Sequence, residues 1–274
     1  MNRRASKVLK ETVFYFWVIV VILPVLIVFL WMFMSSVKTQ MQNTSIPPML
    51  IFEPTVENYV TALSENKILR SVWNSFGVAT LSTALALGLG LPAAYSLARW
   101  KNNMVSLGIL TARMMPGISY LVPWFIFFTQ LRMIDTPQAL ILAHLTITLP
   151  LVVWTMMGFY EGLPDSLRDA ALIDGCTEYG IFLRIYLPLS LAGVVVSGIL
   201  AYIFSWNNFM YSLILGGNRV RTLPVAVYKY IQYAFIDWGG LNATAVIVVL
   251  PVIILTLLVQ KHIAKGLTLG AIKG

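Results

Sequence analysis

Charged chemistry in this chain is gathered into one stretch. Residues 161–190, EGLPDSLRDAALIDGCTEYGIFLRIYLPLS, hold five of the 11 acidic residues (Glu161, Asp165, Asp169, Asp174 and Glu178) together with Arg168 and Arg184. Their spacing suits helix ends rather than bond-making. Pro164 fits a first helical turn, Asp165 or Ser166 can act as N-cap, and Ser166 with Asp169 has the interval of a capping box. Leu167, Ala170, Ala171 and Asp174 follow at helical spacing, and Gly175 suits a left-handed C-cap. Thr177 can cap a second short helix with Ile181, Leu183, Ile185 and Leu187 as its apolar face and Pro188 as its end. There is no GxxxxGK[ST] to cradle phosphate, no HExxH or CxxC, and no Ser/His/Asp set that can be argued to converge. Two short helices joined by a glycine turn are predicted, in a chain that is not itself an enzyme.

The surroundings decide where such a segment can lie. Of 274 residues 58% are hydrophobic and 11% charged, and the mean hydropathy is +0.80. Soluble domains carry about a quarter charged residues, so this is the composition of an integral membrane protein. A polar stretch of this length cannot sit in hydrocarbon. It must lie in water at a membrane surface, between two apolar runs. Cys176 is the single cysteine, which excludes an internal disulfide, and its place in the loop suggests the reducing side. The net charge of +8 is assigned to cytoplasmic loops and anionic membrane lipid rather than to nucleic acid.

Residues 1–12, opening MNRRASKVLK, read as a cytoplasmic N-terminus, and residues 13–34 as an uncleaved first span. Residues 35–72, with Pro47, Pro48 and Pro54, form an external segment with one short helix near residues 56–63. A five-helix core at 73–264 follows, with spans predicted at 73–98, 104–130, 137–159, 189–215 and 243–262, and with the polar loop at 160–188 between the fourth and fifth spans of the chain. Residues 265–274 form a cytoplasmic tail. Gly77, Ala84, Ala86, Gly88, Gly90, Ala93 and Ala94 let other helices approach the second span closely. Six spans put both termini inside; Lys and Arg then divide 11 cytoplasmic to 7 external, Lys67 among the external and Lys273 among the cytoplasmic, with Arg113 inside the membrane. That bias supports the orientation. Pro116, Pro123, Pro150 and Pro251 are places where a span can bend.

Asp169-Ala170-Ala171, then Gly175, then Ile185 and Leu187-Pro188 resemble the EAA loop of permease subunits of bacterial ABC importers. Asp169 stands where the family usually has Glu, which keeps the charge and shortens the reach. Ser205-Trp206-Asn207-Asn208-Phe209 resembles the WNxF segment of the carbohydrate-uptake class, in which Arg221-Thr222-Leu223-Pro224 and Asp237-Trp238-Gly239 also recur. The ending from Gly266 through Ile272 and Lys273 to Gly274 is similar to that of the shorter permease of maltose importers. The resemblance implies an all-α permease of the bacterial inner membrane, and a heterodimer with a second permease subunit. It implies two ATP-binding subunits, which bind the ATP and Mg, and a periplasmic or lipid-anchored solute-binding protein; no cofactor is expected in this chain. It also implies that Asp169, Ala170, Ala171, Gly175, Ile185, Leu187 and Pro188 couple the chain to an ATPase. Ala170 and Ala171 are small enough to let the helix seat in a groove, and Asp169 meets a basic residue there.

A path for the solute is sought among polar groups in the spans. In the predicted topology His144, Trp124 and the run Trp206, Asn207 and Asn208 lie about seven residues from the outer surface, a depth of about 10 Å at ~1.5 Å per residue. Tyr120 and Tyr202 lie a turn deeper. Aromatic faces and amides suit a polyhydroxylated solute, although Trp and Tyr near a membrane boundary also serve as anchors. Arg113 either lines the cavity, favouring an anionic solute, or reaches toward the cytoplasm. A permease for a sugar or sugar-derived solute is the reading adopted. The alternatives are an ABC permease for another solute, a self-sufficient channel or secondary transporter, and a membrane enzyme. The predicted spans hold no Asp or Glu for ion coupling.

Overall fold

The computed structural model describes residues 3–64, 68–231 and 235–271, with side chains described from Lys10 to Leu257. Lys67, Lys273, Ile272 and Gly274, used in the charge balance or the tail comparison above, lie outside the described residues. Among the described residues the fold is all-α; one isolated bridge, Ile231 with Ile236, is the only extended pairing. The helices are α1 (Arg3–Ser36), α2 (Gln40–Asn43), α3 (Glu57–Ser64), α4 (Ile68–Trp100), α5 (Asn103–Met114) and α6 (Leu121–Gln130). Next come α7 (Pro137–Glu161), α8 (Asp165–Ile173), α9 (Glu178–Ile181), α10 (Leu187–Leu189), α11 (Leu191–Trp206), α12 (Met210–Leu215), α13 (Leu223–Tyr228) and α14 (Trp238–Ala271).

Four stretches are long and apolar enough to cross a membrane: Lys10–Ser36, Ile68–Trp100, Pro137–Glu161 and Trp238–Leu257. Two bent pairs raise the number to six if each is one span. One bend falls at Pro116, a place where the third span was expected to be able to bend, and the other at the start of the expected fifth span. Asn103–Met114 turns 98° into Gly117–Gln130, and Glu178–Leu189 turns 80° into Leu191–Trp206. Pro116 explains the first: the residue before a proline is pushed out of the helical region, and Met115 is extended at φ −65°, ψ 131°. The fifth span breaks again at residues 207–209, so α12 is a separate short helix.

Contacts divide the chain into two units. One comprises the chain up to Ile68 with Val227–Val249, the other Leu69–Ala226 with the chain from Leu250. In the first, the segment expected to have little structure is closely tied. Lys38 is buried, with its ammonium 5.0 Å from the Trp31 ring and 4.7 Å from the Phe52 ring, and donates to the Met49 carbonyl at 2.6 Å. Asn58 donates to the carbonyls of Ser36 and Lys38, both at 2.8 Å.

In the second unit α4, α7 and α11 share an apolar core with the loop that follows α7. Of the seven small residues of the second span, one stripe packs. Ala86 and Ala94 are fully buried, and a Cβ at Gly90 would stand 2.8 Å from the Val152 side chain. Gly77 and Gly88 face open space. Gly193 of α11 lies against the Phe159 ring of α7, where a Cβ would come within 2.7–2.9 Å of three ring atoms. A Gly193→Val exchange therefore has to part the two helices, and overpacking of this kind costs about 1–3 kcal/mol. Thermal unfolding in detergent, followed by circular dichroism, is expected to fall by several degrees, whereas Gly77→Val leaves it nearly unchanged.

Candidate functional site

The loop after α7 is a folded object with its own caps. Helix α8 starts earlier than predicted, by one residue if Asp165 is the expected cap and by two if Ser166 is: Pro164 is its N-cap with no side-chain cap bond, and Asp165 sits in the first turn. The capping box of Ser166 and Asp169 is thus not formed. Pro164, extended at φ −63°, ψ 131°, already directs the chain into the helix, and Asp165 lends its charge to the helix N-terminus. The other end is as expected. Gly175 has φ +82°; its N–H donates to Leu172 O at 3.0 Å and that of Cys176 to Ala171 O at 2.9 Å. That pairing is a Schellman motif. Thr177 then caps α9, its Oγ1 accepting from Gly180 N at 3.2 Å.

The second helix differs from its predicted face. A π-helical turn, Phe182–Tyr186, follows α9. Ile181, Phe182 and Tyr186 are buried, Leu183 is exposed, and Ile185 and Leu187 are half-buried. Residues two apart cannot share one side of a helix, so the expected set splits. Pro188 is exposed within α10 and does not end the helix; the turn comes at Ser190. The buried rings close around Tyr95 of α4, whose ring lies 5.0 Å from Tyr186, 5.4 Å from Phe182 and 6.1 Å from Tyr160.

Charge completes the frame. Arg168 lies between the two short helices with its side chain 13% exposed. Its Nε donates to Glu178 Oε1 at 3.0 Å, Nη2 also meets Glu178 Oε1, and Nη1 reaches Asp169 Oδ1 at 3.5 Å. Glu178 Oε2 accepts from the Tyr95 hydroxyl at 2.8 Å, which carries the link from the loop to α4. Sequence reasoning placed Arg168 and Glu178 in the loop without pairing them and missed Tyr95.

The outward side of α8 is left free. Asp169 is 67% exposed, Ala170 is exposed, and Ile173 is 87% exposed with Leu167, Leu172 and Tyr179 exposed nearby. Ala171 instead turns inward into the core. The two alanines therefore divide their work: one meets this chain, the other faces away from it.

The polar groups of the spans are only partly brought together. His144 is 1% exposed, and its Nδ1 lies 2.7 Å from Ser205 Oγ, which lies 2.9 Å from Ser82 Oγ. This joins α7, α11 and α4. The Tyr211 ring lies 6.1 Å from that of His144, and its hydroxyl donates to Gly117 O at 3.1 Å, at the 98° bend. Ser82, Ser205 and Tyr211 were not among the expected residues; small hydroxyls give no pattern of their own. Trp206 is buried and stacked on Tyr202 at 5.9 Å, and Trp124 is stacked on Phe128 at 4.8 Å. The Tyr120 hydroxyl donates to Ala112 O at 3.0 Å. Asn207 is exposed at the end of α11, while Asn208 Oδ1 accepts from Tyr211 N at 3.0 Å and so caps α12. Arg113 is exposed in the last turn of α5.

A family model described as "Binding-protein-dependent transport system inner membrane component" matches residues 86–269. The chain belongs to this family. It is similar to the sulfoquinovosyl glycerol transport system permease protein SmoH of Agrobacterium fabrum, 36% identical over 253 residues that cover 89% of this chain and 88% of SmoH. The trehalose/maltose transport system permease protein MalG of Thermococcus litoralis is 32% identical over 276 residues, covering 98% of this chain and 99% of MalG. Among solved structures, a chain of a bacterial ABC transporter involved in the import of the acidic polysaccharide alginate has the same fold, with TM-score 0.75 at 16% identity over 95% of this chain and 98% of that one. The chain is thus a multi-pass permease subunit of an ABC importer, a non-enzymatic component of the inner membrane.

In this permease the Arg168 hydrogen bonds hold the Glu178 carboxyl below the usual carboxylate range, with the Tyr95 hydroxyl acting in the same direction against burial. A depressed folded value means that the link stabilises fully above the unfolded value, about 4.3, and is lost as pH falls through the folded one. The hydrogen-exchange protection factors of residues 165–181, taken against the intrinsic rate at each pH, are expected to hold from neutral pH down to the unfolded carboxylate value and to fall as the pH drops further below it. Glu178→Gln should show low protection throughout, with no acid step.

Proposed function

We propose that the permease forms half of a translocation path for a sugar or sugar-derived solute and takes its drive through α8 from an ATP-binding subunit. The loop and both termini are then cytoplasmic. A second permease completes the path, two ATP-binding subunits hold ATP and Mg, and a solute-binding protein delivers the cargo. The observation that carries the reading is the outward side of α8, where exposed Asp169 and Ala170 stand beside the apolar Leu172 and Ile173 on a helix fixed at both ends. A carboxylate, a small residue and an apolar edge suit a groove with a basic residue on its wall. Gly175, Ile185, Leu187 and Pro188 belong to the same loop and set its exit and its seat on the spans. Closure of the ATP-binding subunits would move α8, and the Arg168–Glu178–Tyr95 link would pass that displacement to α4.

Reconstituted with its partners, Asp169→Lys is expected to lower both transport and solute-stimulated ATP hydrolysis at least ~10-fold, the scale of one lost charge-assisted contact. Affinity of the solute-binding protein for its ligand should not move. Unaltered transport in that variant would end the proposal.

The sugar assignment is supported by relatives whose names specify trehalose/maltose and sulfoquinovosyl glycerol. The exposed Asn207 and the half-buried Tyr202, Trp124 and Tyr120 are the proposed solute contacts. His144 and Trp206 are buried behind them and position the helices that carry these groups. Arg113, an exposed cation just before the bend at Pro116, favours a solute bearing an acid group. With such a sugar, Arg113→Gln should raise the KM for uptake ~10-fold or more, and a neutral sugar should be unaffected. Equal effects on both would assign Arg113 to structure.

A further inference from the structure

At the loop end of α4 and α7 lies a cavity of about 390 Å³ that the transport reading does not use. Its walls include Arg99 and Lys101 at the end of α4, Glu161 at the end of α7, Asp165 in α8, and the tyrosines Tyr160 and Tyr186. Two of these groups are left wanting. Arg99 Nε and the Tyr160 hydroxyl are buried without a hydrogen-bond partner among the described residues. A buried donor without an acceptor is costly, about 1–3 kcal/mol and more when charged, and native structures seldom tolerate one. Lys101 is fixed beside them by a backbone in the left-handed region, φ 48°, directly after the helix.

The charges in the cavity are of both signs. Arg99 and Lys101 call for an anion, while Glu161 and Asp165 would repel an anion with no cation of its own. The position narrows the chemistry further, because both helices leave the apolar part of their spans here, the level of lipid headgroups. We propose that the cavity binds a phosphate ester that also carries an ammonium group, the chemistry of an ethanolamine phospholipid headgroup. Arg99 and Lys101 hold the phosphate, Glu161 and Asp165 the ammonium, and Tyr160 donates to a phosphate oxygen. An occupant in this place touches α4, α7 and the loop at once, and it fastens the root of the loop to the spans. The inference needs the membrane spans but not the identity of the solute or the coupling role of Asp169.

The test is native mass spectrometry of the full chain, with whatever partners copurify, delipidated and titrated with palmitoyl-oleoyl phosphatidylethanolamine or phosphatidylglycerol. The ethanolamine lipid is expected to bind ~10-fold more tightly, and Arg99→Gln to weaken it by a similar factor, the scale of one charge-assisted hydrogen bond. The double variant Glu161→Gln, Asp165→Asn should keep lipid binding and lose the preference, a readout that a misfolded chain cannot give. Competition by free phosphoethanolamine would identify a soluble ligand of the same chemistry. Failure to compete, with the lipid preference intact, would identify the membrane as the source. Equal affinity for the two lipids, or a preference that survives the double variant, would overturn the proposal.

Discussion

The pairing of Arg168 with Glu178 is the interaction on which the loop depends. A helix of nine residues is too short to persist in water by its own hydrogen bonds, and α8 exposes most of its surface. Two things make it stiff. Ala171, Phe182 and Tyr186 bury the underside of the loop in the span core, and Arg168 closes the gap between α8 and α9. Charge-assisted bonds with fixed geometry resist bending better than a surface ion pair does. Glu178 also accepts from Tyr95, so the same carboxylate belongs to the loop and to a span.

Local features of this loop were legible because they are written in neighbouring residues. Gly175 is followed by a chain reversal that needs a positive φ, and Thr177 stands three residues before an amide that it caps. The start of α8 was misread because two acceptors, Asp165 and Ser166, competed for the cap and the proline before them took it. The inward side of the second helix was misread for another reason. Ile181, Leu183, Ile185 and Leu187 alternate as a strand would, and a π-helical turn brings Phe182 and Tyr186 inward instead. Tyr95 had no local signature at all. Its partner lies 83 positions away along the chain, and only tertiary packing brings them together.

Apolar length and the prolines carried the spans, but not their angles. Pro116 was recognisable as a possible bend; that the turn is 98°, with Tyr120 bonded back to Ala112 O across it and Tyr211 of α12 bonded to Gly117 O beside it, was not. The small residues of α4 show the same limit. Composition marked all seven alike, while the helical period of 3.6 allows one stripe, Ala86, Gly90 and Ala94, to meet α7 and turns Gly77 and Gly88 away. The amides of Asn207 and Asn208 looked like groups stranded within a span. They occupy a break between two helices, where Asn208 supplies the cap that the broken backbone needs.

The distribution of polar groups follows from the cost of leaving one unpaired in hydrocarbon. Where the helices run unbroken, some of these groups meet across α4, α7 and α11, as Ser82, Ser205 and His144 Nδ1 do, while His144 Nε2 and Thr83 Oγ1 are buried without a hydrogen-bond partner among the described residues. That arrangement fixes the spacing of the three helices. Other polar groups stand where helices end or break: Asn207 is exposed after α11, Arg113 is exposed in the last turn of α5, and Arg99 Nε is buried at the foot of α4. Ends and breaks are also where backbone can rotate without dismantling a helix. The contacts proposed at Asn207 and Arg113 lie where the continuous hydrogen bonding of a helix stops.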